Sequence, residues 1–141
     1  MTHTVHLTLT IEQAQAVSRA LDLYSSLCTG QFDDLVHMAS TGKIKQYRNP
    51  ETRVDEDTLY QVNELIRQLA DTLGYPQRAN LGIGHRIHIT GRRTWEVKKV
   101  LDNALSMHSN PNPTFSTVNY DGLTVRYTND PVPVAEVKEQ A

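Results

Sequence analysis

From Ile11 to His108 the apolar residues recur every three or four positions in four separate blocks, each followed by glycine or proline. That period belongs to amphipathic helices, and the breaks limit how long each can run. The first block carries Ile11, Ala14, Val17, Leu21, Tyr24 and Cys28 and stops at Gly30. Thr10-Ile11-Glu12-Gln13 ahead of it reads as a capping box, with Thr10 as N-cap and Gln13 at the third helical position. The second block, Gln31 to Ser40, sets Phe32, Leu35, Val36 and Ala39 on one side and ends at Gly42. Asp55, Glu56 and Asp57 open the third, acids placed where the helix dipole favours them. Its stripe is Leu59, Val62, Leu65 or Ile66, Leu69 and Leu73, and Gly74-Tyr75-Pro76 closes it. The fourth runs from about Arg92 to His108, with Val97, Val100, Leu101, Ala104 and Leu105 inward, before Asn110-Pro111-Asn112-Pro113.

The flanks change period. Val5, Leu7 and Leu9 alternate with His6 and Thr8, which predicts a strand over 3–9. A short alternating segment spans Arg86 to Thr90. Phe115 to Tyr120 and Leu123 to Thr128 flank Asp121-Gly122, a hairpin signal. The expected fold is therefore α+β, a mainly helical core of about four helices with an N-terminal strand and a C-terminal β-hairpin. Strand and helix do not alternate as in a nucleotide-binding parallel sheet. Residues 1–128 read as one domain, and 129–141, with two prolines, as an extended or flexible tail.

Composition narrows the function classes. The 141 residues have a mean hydropathy of −0.48 and 38% hydrophobic residues, lean but globular. The opening MTHTVHLTLT has neither a basic nor an apolar region, so no signal peptide is expected. No run is long and apolar enough to cross a membrane. A single cysteine, Cys28, excludes an internal disulfide and a multi-thiolate zinc site. A cytoplasmic location is expected. The net charge of −2 argues against general nucleic-acid binding. There is no HExxH, no P-loop and no Ser-His-Asp arrangement, and no metal or cofactor is expected.

Charge is nevertheless focused. Residues 85–99 hold Arg86, Arg92, Arg93, Lys98 and Lys99 against one acid, Glu96. Gly82, Gly84 and Gly91 allow close backbone approach, and a helix is predicted to begin just after Gly91. Guanidinium groups at a helix N-terminus suit a phosphate. Arg86, His88, Arg92 and Arg93 are the candidate phosphate ligands. Trp95 lies about 200° from Val97 around the helix and so points away from the apolar stripe. It could stack a base, plug a subunit interface or close its own first turn. The alternative for the whole stretch is an ordinary solvated helix start.

Two motifs also carry resemblances. Val5-His6-Leu7-Thr8 and Ile87-His88-Ile89-Thr90 are similar to the paired HxT motifs of the 2H phosphodiesterase superfamily. That resemblance implies His6 and His88 as acid and base on a phosphodiester, with Thr8 and Thr90 on the phosphate. The chain departs from the pattern in three ways. His6 has no preceding lobe, Gly-Arg-Arg follows the second motif, and no duplicated lobes lie between. Separately, Leu7-Thr8-Leu9-Thr10-Ile11-Glu12-Gln13-Ala14, then Ala20-Leu21-Asp22-Leu23-Tyr24-Ser25 and Gly30-Gln31-Phe32-Asp33-Asp34-Leu35, resemble a widespread family of small tailed-phage proteins, as does Gly82-Ile83. The likeness covers roughly residues 5–107 and is strongest at 7–36. It implies a strand, a capped helix, that core, a mid-chain Gly-Ile, one more helix and a short β tail. Small phage proteins of this character include sponges that sequester cyclic-oligonucleotide or ADP-ribose-type immune signals without cleaving them.

The expected function is then anti-defence sequestration of a small phosphorylated nucleotide in the host cytoplasm. The site would be Arg86, His88, Arg92, Arg93 and Trp95, in a homo-oligomer without membrane contact. The alternatives are a 2H-type phosphodiesterase using His6, Thr8, His88 and Thr90, and a structural or host-protein-binding phage protein with no small ligand.

Overall fold

A computed structural model describes residues 3–76, 79–109 and 127–139. These described residues form four helices: α1 (Ile11–Thr29), α2 (Asp33–Ser40), α3 (Glu56–Thr72) and α4 (Ile89–Ser109). No strand occurs among the described residues. The protein is mainly helical, and the α+β expectation is corrected.

The correction has a physical reason at each expected strand. Residues 3–9 have the alternation but no ladder among the described residues, where none of their backbone groups finds a backbone partner. Val5 is 95% and Leu7 74% exposed. Alternation makes a strand only where a neighbour supplies backbone partners and covers one face. Across Arg86–Thr90, Arg86 sits in a turn, and Ile89 and Thr90 already belong to α4. Most of the expected hairpin, up to residue 126, lies outside the described residues, as does the break at 110–113. Its last two residues, Tyr127 and Thr128, are described. They are not in a strand, because their amides donate to the Glu96 side chain.

The helix ends follow local chemistry. At the start of α1, Thr10 N–H donates to Gln13 Oε1 at 3.0 Å and Gln13 N–H donates to Thr10 Oγ1 at 3.1 Å, a reciprocal capping box. At its end Gly30 N–H reaches Leu27 O and Gln31 N–H reaches Ser26 O, the Schellman pair of bonds. This cap needs a left-handed residue, and Gly30 has φ +90°. Gly42 and Gly74 close α2 and α3 in the same way. Asp55 caps α3 by accepting from Thr58 N–H at 2.7 Å.

The chain divides into two compact units, residues 26–87 and residues 1–25 with 88–141. In the 26–87 unit α2 packs on α3. Phe32 and Tyr75 meet edge to face at 5.9 Å, and Leu81 N–H donates to Thr29 O at 2.8 Å. The Tyr75 ring lies directly over Gly30, where a Cβ would come within 2.2 Å of it. Only part of the expected α3 stripe is covered. Leu59, Val62 and Ile66 are half-buried, whereas Leu65, Leu69 and Leu73 form an exposed ridge.

In the other unit the inward side of α4 differs from expectation. Val97 is exposed, while Gly91 and Glu96 are buried and Trp95 is half-buried. What covers this face is a stretch of chain whose peptide groups need partners, so a carboxylate fits there and a valine does not.

Candidate functional site

The first turn of α4 is held by His88 rather than by a strand. Gly91 N–H and Arg92 N–H donate to His88 O at 3.0 and 3.4 Å. Thr90 N–H donates to His88 Nδ1 at 3.2 Å, and Thr90 Oγ1 lies 2.9 Å from the same nitrogen. With Nδ1 accepting from that amide, the Thr90 hydroxyl donates to Nδ1 and accepts from the Tyr24 hydroxyl at 3.0 Å. His88 is thus an imidazole cap, satisfying donors that every helix start leaves open. The helix begins three residues before the expected Arg92, and Gly91 lies inside it.

Further along α4, four side chains reach the segment Tyr127–Asp130. Glu96 is 2% exposed. Its Oε1 accepts from Tyr127 N–H at 2.8 Å and Thr128 N–H at 2.7 Å, and its Oε2 accepts from the Thr128 hydroxyl at 2.7 Å. Arg92 Nη1 donates to Tyr127 O at 3.3 Å. Arg93 grips Asp130 with two bonds, Nε to Oδ2 at 2.7 Å and Nη2 to Oδ1 at 3.4 Å. The Asp130 carboxylate raises the already high pKa of this guanidinium. Lys99 Nζ sits 5.7 Å from the centre of the Tyr127 ring.

The rest of the basic stretch is also engaged. Lys98 pairs with Asp102, lies 3.9 Å from Asp22, and stands 5.6 Å from the centre of the Trp95 ring. The Ser18 hydroxyl donates to the other Asp102 oxygen. Two donors on the same face of α4 remain without an acceptor: Arg92 Nε and Trp95 Nε1 are both enclosed and unpaired. They are three residues apart, hence neighbours on the helix surface.

The expected ligands are therefore partly assembled. His88, Arg92, Arg93 and Trp95 follow one another along the first two turns of α4. Arg86 falls in the 26–87 unit, exposed in its turn. The two HxT motifs have different surroundings. His6 and Thr8 lie in the exposed N-terminal stretch, where His6 Nε2 is 3.4 Å from Thr4 Oγ1. His88 and Thr90 straddle a helix start and bond each other. The symmetric strands on which 2H chemistry depends are absent among the described residues.

Sequence reasoning missed Glu96, which it read only as the lone acid of a basic stretch. It also missed a cavity of about 720 Å³ in the 26–87 unit, lined by Gly30, Gln31, Phe32, Asp33, Asn63 and Tyr75 among others. No signal of period or composition marks either, since both arise from residues distant in sequence. Among the described residues no group of three or more His, Cys, Asp or Glu could hold a metal, and no helix is long and apolar enough to cross a membrane. Comparison with protein-family models, with curated proteins and with solved structures finds no match to this chain.

Proposed function

We propose that the protein is a binding protein that sequesters a small phosphorylated nucleotide through the first two turns of α4. One observation carries the reading: Arg92 Nε and Trp95 Nε1 are enclosed, adjacent and without acceptors. A buried donor left unpaired costs about 1–3 kcal/mol, so an oxygen delivered to this face has a gain waiting for it. Phosphate oxygens match that need, and the surrounding cations match the charge. Arg93 adds a second fork, Trp95 a surface for a base, and His88 a further donor. The resemblance to small tailed-phage proteins supplies the context, capture of a cyclic-oligonucleotide or ADP-ribose-type immune signal in the host cytoplasm.

Titration of the protein with cyclic di-AMP and with ADP-ribose tests this, first by thermal shift and then by chromatography after denaturation. A ligand at a hundred times its Kd stabilises the fold by about 2.7 kcal/mol, a visible shift. Intact nucleotide recovered from the denatured complex is the expected result. Nucleotide consumed in solution would identify a phosphodiesterase instead, and no shift with either compound would leave a structural or protein-binding role. Arg92→Ala should weaken binding about ten- to a hundredfold, and Lys45→Ala, in the separate basic run of Lys43, Lys45, Arg48 and Arg53, should be silent.

A further inference from the structure

A helix start leaves backbone amides open, and a phosphate can use them. Three of those at the head of α4 are closed by His88. Thr90 N–H donates to its Nδ1 at 3.2 Å, and Gly91 and Arg92 N–H donate to its carbonyl at 3.0 and 3.4 Å. What this capping residue offers to a ligand instead is the far side of its ring. A backbone N–H only donates, so Nδ1 is the accepting nitrogen, and an imidazole that accepts at Nδ1 is neutral and carries its proton on Nε2. The Thr90 hydroxyl, 2.9 Å from Nδ1, shares the same lone pair. Its direction is set from α1. The Tyr24 hydroxyl, 3.0 Å from Thr90 Oγ1, donates to it and leaves the Thr90 proton for the ring. The two ring nitrogens point apart, so with Nδ1 turned to the helix Nε2 faces away from it. His88 is exposed, and its Nε2 has no partner among the described residues.

We propose that His88 is a tautomer-locked donor of the binding site: Tyr24 and Thr90 hold Nδ1 as an acceptor, and the Nε2–H is offered to a phosphate oxygen. The inference rests on the phosphate-binding reading and adds an uncharged, exposed donor beside the arginines. His88, Arg92 and Trp95 follow at intervals of four and three residues, which sets them on one side of the α4 start. The attraction of a guanidinium acts on any anion and is screened by salt. A fixed neutral N–H contributes a direction instead. It selects an acceptor oxygen at one place, and its contribution persists at high salt. Tyr24 is then a positioning residue that acts through Thr90.

Long-range proton–nitrogen NMR of the full chain at about pH 8, where an ordinary histidine is neutral, reads the tautomer. His88→Ser identifies the signal, since Ser keeps an N-cap oxygen and has no second donor. The His88 ring should show Nε2–H, and pyrophosphate or ADP-ribose should shift Nε2 more than Nδ1. Tyr24→Phe should move the Nδ1 signal, because the Thr90 hydroxyl is then free to turn away, and an unmoved signal would overturn the positioning role. In calorimetric titration His88→Ser should bind both probes about two- to tenfold more weakly, the range of one neutral hydrogen bond. The deficit should be the same at low and high salt, with helix content unchanged by circular dichroism. An Nδ1–H tautomer in the native protein, or native affinity in His88→Ser, would overturn the inference and leave the binding reading standing. A deficit that disappears at high salt would overturn it too, since the ring would then be acting as a cation. Binding of neither probe to the native protein would overturn the phosphate site and this donor with it.

Discussion

Two single residues show how little of a side chain's role follows from its type. Glu96 is an acid among arginines and lysines, yet it is the least exposed charged group of α4 and the anchor for Tyr127 and Thr128. Glu96→Ala leaves two amides and a hydroxyl without their acceptor, and should lower stability by about 2–4 kcal/mol in urea denaturation. It should also open residues 127–139 to protease. Glu96→Gln retains one carbonyl acceptor and should fall between. Gly30 illustrates a different constraint, where conformation and contact coincide. Gly30→Ala meets both a left-handed φ and the Tyr75 ring, whereas Gly74, with φ +86°, has nothing within 4 Å of an added Cβ. Gly74→Ala should cost about 1 kcal/mol, the conformational share alone, and Gly30→Ala should cost measurably more. Equal losses at the two positions would mean that the Tyr75 ring moves aside freely.

At the scale of elements, helix boundaries are set by groups within a few residues of each end. Asp55 is the clearest acid-sensitive case. The Thr58 amide holds its carboxyl below the ordinary value near 3.8. Above that value the carboxylate is ionised in both folded and unfolded chains, and the cap contributes in full. As the pH falls, the unfolded chain takes up the proton first, and the contribution is lost on passing through the lowered folded value. Asp55→Asn should keep α3 capped at pH 7, since Asn serves that position as well as Asp. The variant should lose stability less steeply than the native protein between pH 4 and pH 3, measured by urea midpoints. The N-terminal stretch 3–9 marks the limit of element reasoning. Its alternation is as regular as that of many strands, but a strand also needs a neighbour that the described residues do not provide.

At the scale of the whole molecule, the exposed ridge Leu65, Leu69 and Leu73 on α3 bears on assembly. Large apolar side chains aligned along one helix face are a feature of subunit contacts, so the ridge is where the homo-oligomer expected from the sequence can be tested. Light scattering at micromolar concentration should give a mass well above 15.9 kDa. Leu69→Glu should reduce it to that of a single chain with the fold intact, since the substituted side chain is already exposed. A native protein of single-chain mass at high concentration would remove the ridge as a contact between copies.

What the sequence by itself determined are the starts of α1 and α3 and the stops of α1, α2 and α3, but not the start of α4. Thr10 with Gln13, Asp55 with Thr58, and the glycines at 30, 42 and 74 act through bonds spanning five residues or fewer, so the residues that make each cap stand together in the chain. The expected anion site was legible only as a concentration of arginines. Which face of α4 is covered, and what each charge holds, was decided by the tertiary structure alone. Glu96 meets its partners 31 and 32 residues away, and Arg93 meets Asp130 at a separation of 37. No local period encodes such pairings, because a buried side chain is selected by the peptide groups that arrive against it, and those come from a distant part of the chain.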